Sequence, residues 1–207
     1  MILDILPVGP LRANCHLIGC ERTGLAMVVD PGGDTPLILD AIARLGLDVT
    51  HILNTHGHVD HVAANAEIKE ATGARLLVHQ ADREMVAQPH PFWASMVGGV
   101  QGYEPDGTLA EGDELHIGDL TVSILHTPGH TPGCVCMAVN SMLVTGDTLF
   151  AGSIGRTDLP GGSMSTLQNS LRRLVAEVPP ETRLLPGHGP SSTMRHELRA
   201  NPFLLEL

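Results

Sequence analysis

The hydrophobic positions of this chain fall into short apolar runs bounded by Gly, Pro, Asn or Asp, a pattern that predicts β-strands. In the first half these runs are MILDILPVG, NCHLIGC, GLAMVVDPGG, VTHILNT and ARLLVH. In the second half they are ELHIGDLTVSILH, GCVCMAV, SMLVTGD and TRLLPGHG. Segments with helical spacing are LILDAIARLG, VDHVAANAEIKEATGA, ADREMVAQ, MSTLQNSLRRLVAEV and STMRHELRA. Because β-rich and helical stretches alternate through both halves, the pattern predicts two β-sheets packed together with helices outside.

Turn-forming residues set the expected ends of these helices. Asp34 is a plausible N-cap ahead of Pro36, and Gly46 and Gly73 are typical residues at which a helix stops. No low-complexity linker divides the chain, so residues 1–207 are expected to form a single domain.

The stretch 89–107 has no clean period, although most of the chain does. It contains Phe92, Trp93 and Tyr103 in a chain with only 2% aromatic residues. Long connections of this kind are often lids or binding loops, so Trp93 and Tyr103 are candidate substrate-binding residues. The alternative is that the rings cover the edge of an aliphatic core.

Composition narrows the possible partners and the compartment. A formal charge of −11 argues against nucleic acid and anionic membranes as partners. The four cysteines form no CxxC pair and are expected to be reduced, partly buried thiols: Cys15, Cys20, Cys134 and Cys136. The N-terminus shows no signal-peptide pattern, and no apolar run approaches the ~20 residues of a membrane span, so a cytoplasmic protein is expected.

The segment NTHGHVDH crowds three histidines and an aspartate into six positions. His56 and His58 are two residues apart after a strand, so an extended backbone points both side chains the same way. Asp60 and His61 follow where helical spacing begins. Imidazole and carboxylate groups at such a junction predict a metal site, and zinc, iron or manganese would suit these donors.

Three later strands also end in a Gly/Pro turn that carries a potential ligand. SILHTPGHTPG offers His126 and His130, MLVTGDTLF offers Asp147, and RLLPGHGP offers His188. His126 directly ends its strand and is interpreted as a structural residue. Each segment alone is a weak signal, but four strands that end in this way together predict one metal centre.

These motifs resemble those of a known family. THGHVDH, HTPGHTPG, GDTLF and PGHGP resemble, in order, the motifs of the metallo-β-lactamase superfamily, and the resemblance covers nearly the whole chain. GSIGRTDLPGG and GHGPSSTMRHELRANPFL are similar in particular to the short bacterial type II glyoxalases, also called hydroxyacylglutathione hydrolases. The implied fold is an α/β αββα sandwich with two mixed sheets and helices outside.

The resemblance implies two divalent metal ions, with zinc expected and iron or manganese possible. Their ligands would be His56, His58 and His130 at the first site, Asp60, His61 and His188 at the second, and Asp147 as a bridge to both. The implied activity is a glyoxalase II-type thioesterase, which cleaves S-lactoylglutathione or a similar acyl thioester with a hydroxide held between the metals. Asp147 as the bridge and Asp60 as an orienting group are the catalytic candidates.

Asp30 and Arg156 each have both a structural and a functional interpretation. Asp30, in VVDPGG, is either a turn residue or a carboxylate that accepts a hydrogen bond from a ligand imidazole. Arg156, in GRTD, either binds a substrate carboxylate or pairs with Asp158.

Several other functions share parts of this pattern. A persulfide dioxygenase would use His58 or His56, His130 and Asp147 around one iron, but His188 supplies a second-site ligand. A flavodiiron module usually has glutamate in place of one histidine of the motif, where this chain has His58. A secreted β-lactamase would need a signal peptide, for which the N-terminus shows no pattern. A lactonase or phosphodiesterase of the same superfamily stays an open alternative. The longer type II glyoxalases have a helical C-terminal domain that grips glutathione, and its absence here leaves open a thiol other than glutathione. The sequence does not indicate an oligomeric state.

Overall fold

The first of two six-stranded sheets comes from the N-terminal half of the chain. In the computed structural model, which describes residues 1–207, its strands are β1 (Ile2–Val8), β2 (Ala13–Gly19), β3 (Leu25–Val29), β4 (Asp48–Leu53), β5 (Arg75–His79) and β6 (Gly107–Leu109). They lie side by side in chain order, antiparallel from β1 to β3 and parallel from β3 to β6. The parallel connections need crossovers, and these carry helices.

The crossover helices are α1 (Thr35–Leu45), α2 (Val59–Val62), α3 (Asn65–Thr72), α4 (Arg83–Ala87) and α5 (Pro91–Met96), with a 3₁₀ turn at Gln80–Asp82 before α4. The predicted helix after NTHGHVDH is therefore two helices, α2 and α3.

The second sheet comes from the C-terminal half. Its strands are β7 (Glu114–Ile117), β8 (Leu120–His126), β9 (Val135–Val139), β10 (Met142–Gly146), β13 (Arg183–Pro186) and β14 (Ser192–Thr193), and β11 (Leu149–Phe150) and β12 (Ser153–Ile154) form a separate hairpin. The order across the sheet is β14-β13-β10-β9-β8-β7, with β10 and β13 parallel. Helix α6 (Met164–Glu177) lies in that parallel crossover, and α7 (Met194–Ala200) and α8 (Pro202–Leu205) end the chain.

Three apolar clusters hold four layers together. Successive residues of a strand point to opposite faces of its sheet, so Val28 packs with Ile38 of α1 outside the first sheet, whereas Met27 packs with Ile124 between the sheets. The third cluster joins the outer face of the second sheet to Leu171 of α6. This arrangement confirms the predicted αββα sandwich.

Two local expectations need correction. Asp34 stands at the N-cap position of α1, but its side chain makes no capping bond and instead accepts a hydrogen bond from Gly9 N–H at 2.8 Å, which ties α1 to the β1–β2 turn. The segment 89–107 is not wholly irregular, because it contains α5. The His90 side chain accepts from Phe92 N–H and Pro91 occupies the first turn, so local capping forms a helix too short to show a period.

All four cysteines are free and buried, which agrees with the expectation of reduced thiols. None of the helices is both long enough and apolar enough to span a membrane.

Candidate metal centre

The potential ligands converge because four strands end at the same edge of the sandwich. His56, His58, Asp60 and His61 follow β4, while the loops after β8, β10 and β13 supply His130, Asp147 and His188. Six of these seven residues form two groups of three side chains, and Asp147 lies between the two groups. His126 lies outside these groups: its Nε2 is 2.9 Å from Pro132 O, and its ring stacks on His79.

The first group consists of His56, His58 and His130, whose donor atoms all lie within 4.8 Å of one another. His58 Nδ1 and His130 Nε2 are 2.8 Å apart. His130 Nδ1–H donates to Arg156 O at 2.7 Å, so its Nε2 lone pair is free to face the group. His56 Nε2 is buried without a protein hydrogen-bond partner. Three imidazole nitrogens directed at one point fit a metal cation.

The electrostatics of this group favour neutral ligands. Burial lowers the pKa of His58 to about 3, with His130 adding to the effect. Burial likewise holds the pKa of His56 well below its usual range. Neutral imidazoles are the forms that bind metal, so no proton has to leave these two side chains at neutral pH.

The second group consists of Asp60, His61 and His188. His188 Nε2 lies 3.2 Å from Asp60 Oδ2 and 3.3 Å from His61 Nε2. Burial opposes a charge on His61, but Asp147, Asp60 and Asp30 outweigh it and raise the pKa of His61 to about 10. The negative field that would hold a proton on this imidazole would equally hold a metal cation in its place.

Asp147 faces both groups. Its Oδ1 lies 3.5 Å from His61 Nε2 and its Oδ2 lies 3.5 Å from His130 Nε2. Oδ1 is buried and has no hydrogen-bond partner in the protein. A Cβ on Gly187 would come within 2.2 Å of that oxygen, so the PGHGP turn needs glycine at this position. The orphaned oxygen and His56 Nε2 both fit a pair of bridged metal ions.

Asp30 contacts the candidate ligands on the side that faces away from the metal positions. Its Oδ2 lies 3.0 Å from His61 Nδ1 and accepts from Thr55 Oγ1 at 2.6 Å, while its Oδ1 accepts from Thr55 N–H at 2.7 Å. Thr55 Oγ1 in turn lies 3.0 Å from His56 Nδ1. Asp30 therefore orients His61 directly and His56 through Thr55, leaving both Nε2 atoms to face the metal positions. Asp30 also has a φ of 54°, as the turn-residue interpretation requires.

The positions of the three candidate substrate-binding residues do not by themselves indicate contact with a substrate. The Arg156 guanidinium pairs with Asp158 through two bonds of 2.7 Å, as in the salt-bridge alternative. Trp93 is half-buried on α5 and meets Phe92 edge to face. Tyr103 packs against the apolar cluster outside the first sheet, a position that favours the cover alternative. Substrate contacts by these residues stay predictions.

Sequence reasoning missed Asp82, a fully buried carboxylate near the first group. In ADREMVAQ it has the pattern of an ordinary residue at a helix start, and its partners lie far away in the chain. No local signal in a single sequence would have marked it.

Comparison with known proteins places this site in a family. The model of the metallo-beta-lactamase superfamily matches residues 8–188, a span that includes every ligand described above. The chain belongs to the metallo-β-lactamase superfamily. The two groups fit a dinuclear metal site, and membership of the superfamily supports a metal-dependent hydrolase as the class of enzyme.

Relatives of similar length carry hydrolase names. The chain is 34% identical to the hydroxyacylglutathione hydrolase GloC of Haemophilus influenzae, over 99% of this chain and 98% of the relative. It is 37% identical to the probable metallo-hydrolase YqgX of Bacillus subtilis, over 96% and 95% of the two chains.

Solved structures of several differently named proteins share the fold over almost the whole chain. BLEG-1 B3 metallo-beta-lactamase matches with a TM-score of 0.91 and 32% identity, covering 98% of this chain and 99% of that one. TTHA1623 in a di-iron-bound form matches at 0.86 and 36%, over 97% and 100%. ETHE1 from Myxococcus xanthus matches at 0.83 and 30%, over 98% and 84%.

Proposed function

We propose that this protein is a thioester hydrolase of the hydroxyacylglutathione hydrolase type, acting on S-lactoylglutathione or a similar acyl thioester. The observation that carries the proposal is the complete second ligand group, with one oxygen of Asp147 directed to each group. A reaction that needs only one metal would not require Asp60, His61 and His188 to meet at a second position. The similarity to GloC supports the choice of thioester.

When bound, two metal ions would lower the pKa of a water and polarise an acyl carbonyl, and zinc is the metal we propose. The chain's own residues then have three tasks. Asp147 holds the two sites together, Asp60 orients the attacking water through its second carboxylate oxygen, and Asp30 fixes the direction of His61. A thiolate is a stable leaving group, so the site does not need a strong general acid.

Cys134 and Cys136, which follow the His130 loop in the chain, do not offer a covalent route. Burial raises the pKa of Cys134 well above its usual range, and that of Cys136 to about 11. Neither thiol would supply a thiolate nucleophile at neutral pH. Hydrolysis by direct attack of water is therefore the mechanism that the surroundings of the site favour.

One other function has a specific observation in its favour. The fold similarity to ETHE1 keeps open the mononuclear-iron persulfide dioxygenase, which would use only His56 or His58, His130 and Asp147. Against it stands the second group, in which His188 Nε2 lies 3.2 Å from Asp60 Oδ2.

The test is a parallel assay of one purified sample loaded with zinc, iron or manganese in turn. We expect release of free thiol from S-lactoylglutathione or another acyl thioester, without oxygen uptake. Oxygen-dependent consumption of glutathione persulfide by the iron form, without thioester cleavage, would overturn the proposal. Turnover of only a β-lactam, a lactone or a phosphodiester would keep the hydrolase class and reject the thioester.

A further inference from the structure

Asp82 is a fully buried carboxylate. It accepts three hydrogen bonds, and all three donor groups belong to the loops that carry the candidate ligands. Its Oδ2 accepts from Gly57 N–H at 2.9 Å and from Thr131 Oγ1 at 2.6 Å, and its Oδ1 accepts from Gly133 N–H at 2.7 Å. It belongs to neither ligand group, so its role is not to bind metal.

The three donors bracket the ligands of the first site. Gly57 stands between His56 and His58, and Thr131 directly follows His130. One carboxylate therefore ties together the two loops that supply every imidazole of this site. Asp60 and His61 follow on the same segment as Gly57, but neither they nor His188 form a hydrogen bond with Asp82.

The two glycines make this close approach possible. A Cβ on Gly133 would lie 2.5 Å from Asp82 Oδ1, and a Cβ on Gly57 would lie 3.3 Å from Asp82 Cβ and 2.7 Å from Met85 Cβ. Both loops are thus pressed against the 3₁₀ turn that carries Asp82. The backbone positions of the HGH and HTPG segments depend on this packing as well as on the hydrogen bonds.

We propose that Asp82 is a positioning residue for the first metal site, and that it sets the affinity of that site without setting that of the second. A carboxylate offers only acceptors, and all of the approaching groups here are donors. Asparagine would turn its NH₂ group toward a backbone N–H or lose one of the three bonds. Loss of a partner behind the ligands typically weakens metal binding about 10–100-fold.

The experiment starts from metal-loaded protein and uses a chromophoric chelator in equilibrium competition to measure zinc affinity. Asp82→Asn is combined with His188→Ala, which leaves the first site, and separately with His130→Ala, which leaves the second. We expect the affinity for zinc to fall about 10–100-fold in the first background and to stay unchanged in the second.

Thr131→Val removes one of the three hydrogen bonds with little change in shape, so it gives a milder variant if Asp82→Asn folds poorly. Its effect should be smaller and confined to the same background. The matched control is Asp106→Asn, since Asp106 accepts from Leu76 N–H on β5 and from Lys69 Nζ on α3 but forms no hydrogen bond with a ligand loop. It should lower the Tm without changing zinc affinity.

Equal weakening in both backgrounds, or an unchanged first site in both Asp82→Asn and Thr131→Val, would overturn the proposal. The inference rests on the metal centre of the proposed function, but its readout is metal affinity. If the protein cleaves no thioester, the role of Asp82 can still be decided.

Discussion

Replacement of His16 tests whether one buried imidazole limits the stability of the protein in acid. His16 is fully buried on β2, where it shares the inter-sheet face with Ile18, and neither ring nitrogen has a hydrogen-bond partner in the protein. Burial lowers the pKa of His16 from 6.5 to about 4, and the opposing attraction of Asp30 recovers only part of that change.

The direction in which stability changes with pH depends on whether the folded or the unfolded chain binds the proton at His16. As the pH falls below 6.5 the unfolded chain protonates at this position, whereas the folded chain stays neutral until about pH 4. Folded stability is therefore complete above pH 6.5 and declines between pH 6.5 and pH 4. At about 1.4 kcal/mol for each pH unit, the loss from this residue approaches about 3 kcal/mol.

The assay is urea unfolding of the wild type, His16→Leu and His16→Gln from about pH 7.5 to about pH 4. The two variants will differ in packing, but both should gain about 3 kcal/mol relative to the wild type over this range. Replacement of the exposed His116 by glutamine is the control for general loss of a histidine. Stability curves that stay parallel for all four proteins would refute the reasoning.

Three further predictions concern the site. Asp30→Asn should weaken metal retention about 10–100-fold, because His61 and Thr55 lose their shared acceptor, and metal content unchanged after dialysis would contradict this. Trp93→Ala should raise KM or lower kcat for a thioester at constant metal content, whereas a lower Tm with an unchanged kcat/KM would identify α5 as structural cover. Hydrolysis should rise with pH to a plateau with an apparent pKa near ~7, and stoichiometric inactivation by an acylating serine reagent would count against water as the nucleophile.

The layers of the fold were predictable because strand and helix periods are local properties. Alternation in ELHIGDLTVSILH and the helical spacing of MSTLQNSLRRLVAEV correspond to β7, β8 and α6. The short helix α5 escaped prediction because six residues do not establish a period, and its stability depends on capping by His90.

The convergence of the candidate ligands was predictable for a different reason. Each follows a strand within a Gly/Pro turn, and His56 to His61 are crowded into one segment, so their chemistry is visible in the sequence itself. The supporting carboxylates were harder to assign. Asp82 contacts Gly57 from 25 residues away and Thr131 from 49 residues away, and only the folded chain brings these partners together.

Arg156 shows the opposite case. Its partner Asp158 is two residues away, so the local salt bridge was already visible as an alternative to substrate binding. The structure forms that salt bridge on the surface, where exposed ion pairs are worth little stability.

If two bridged metal ions perform the hydrolysis, one measurement on a single sample tests this most directly. Protein purified without oxygen is analysed for metals and assayed for thioester cleavage beside Asp147→Ala. Active wild-type protein should hold about two metal ions per chain, and the variant should lose at least one ion together with its activity. Active wild-type protein that holds a single tightly bound iron would contradict it.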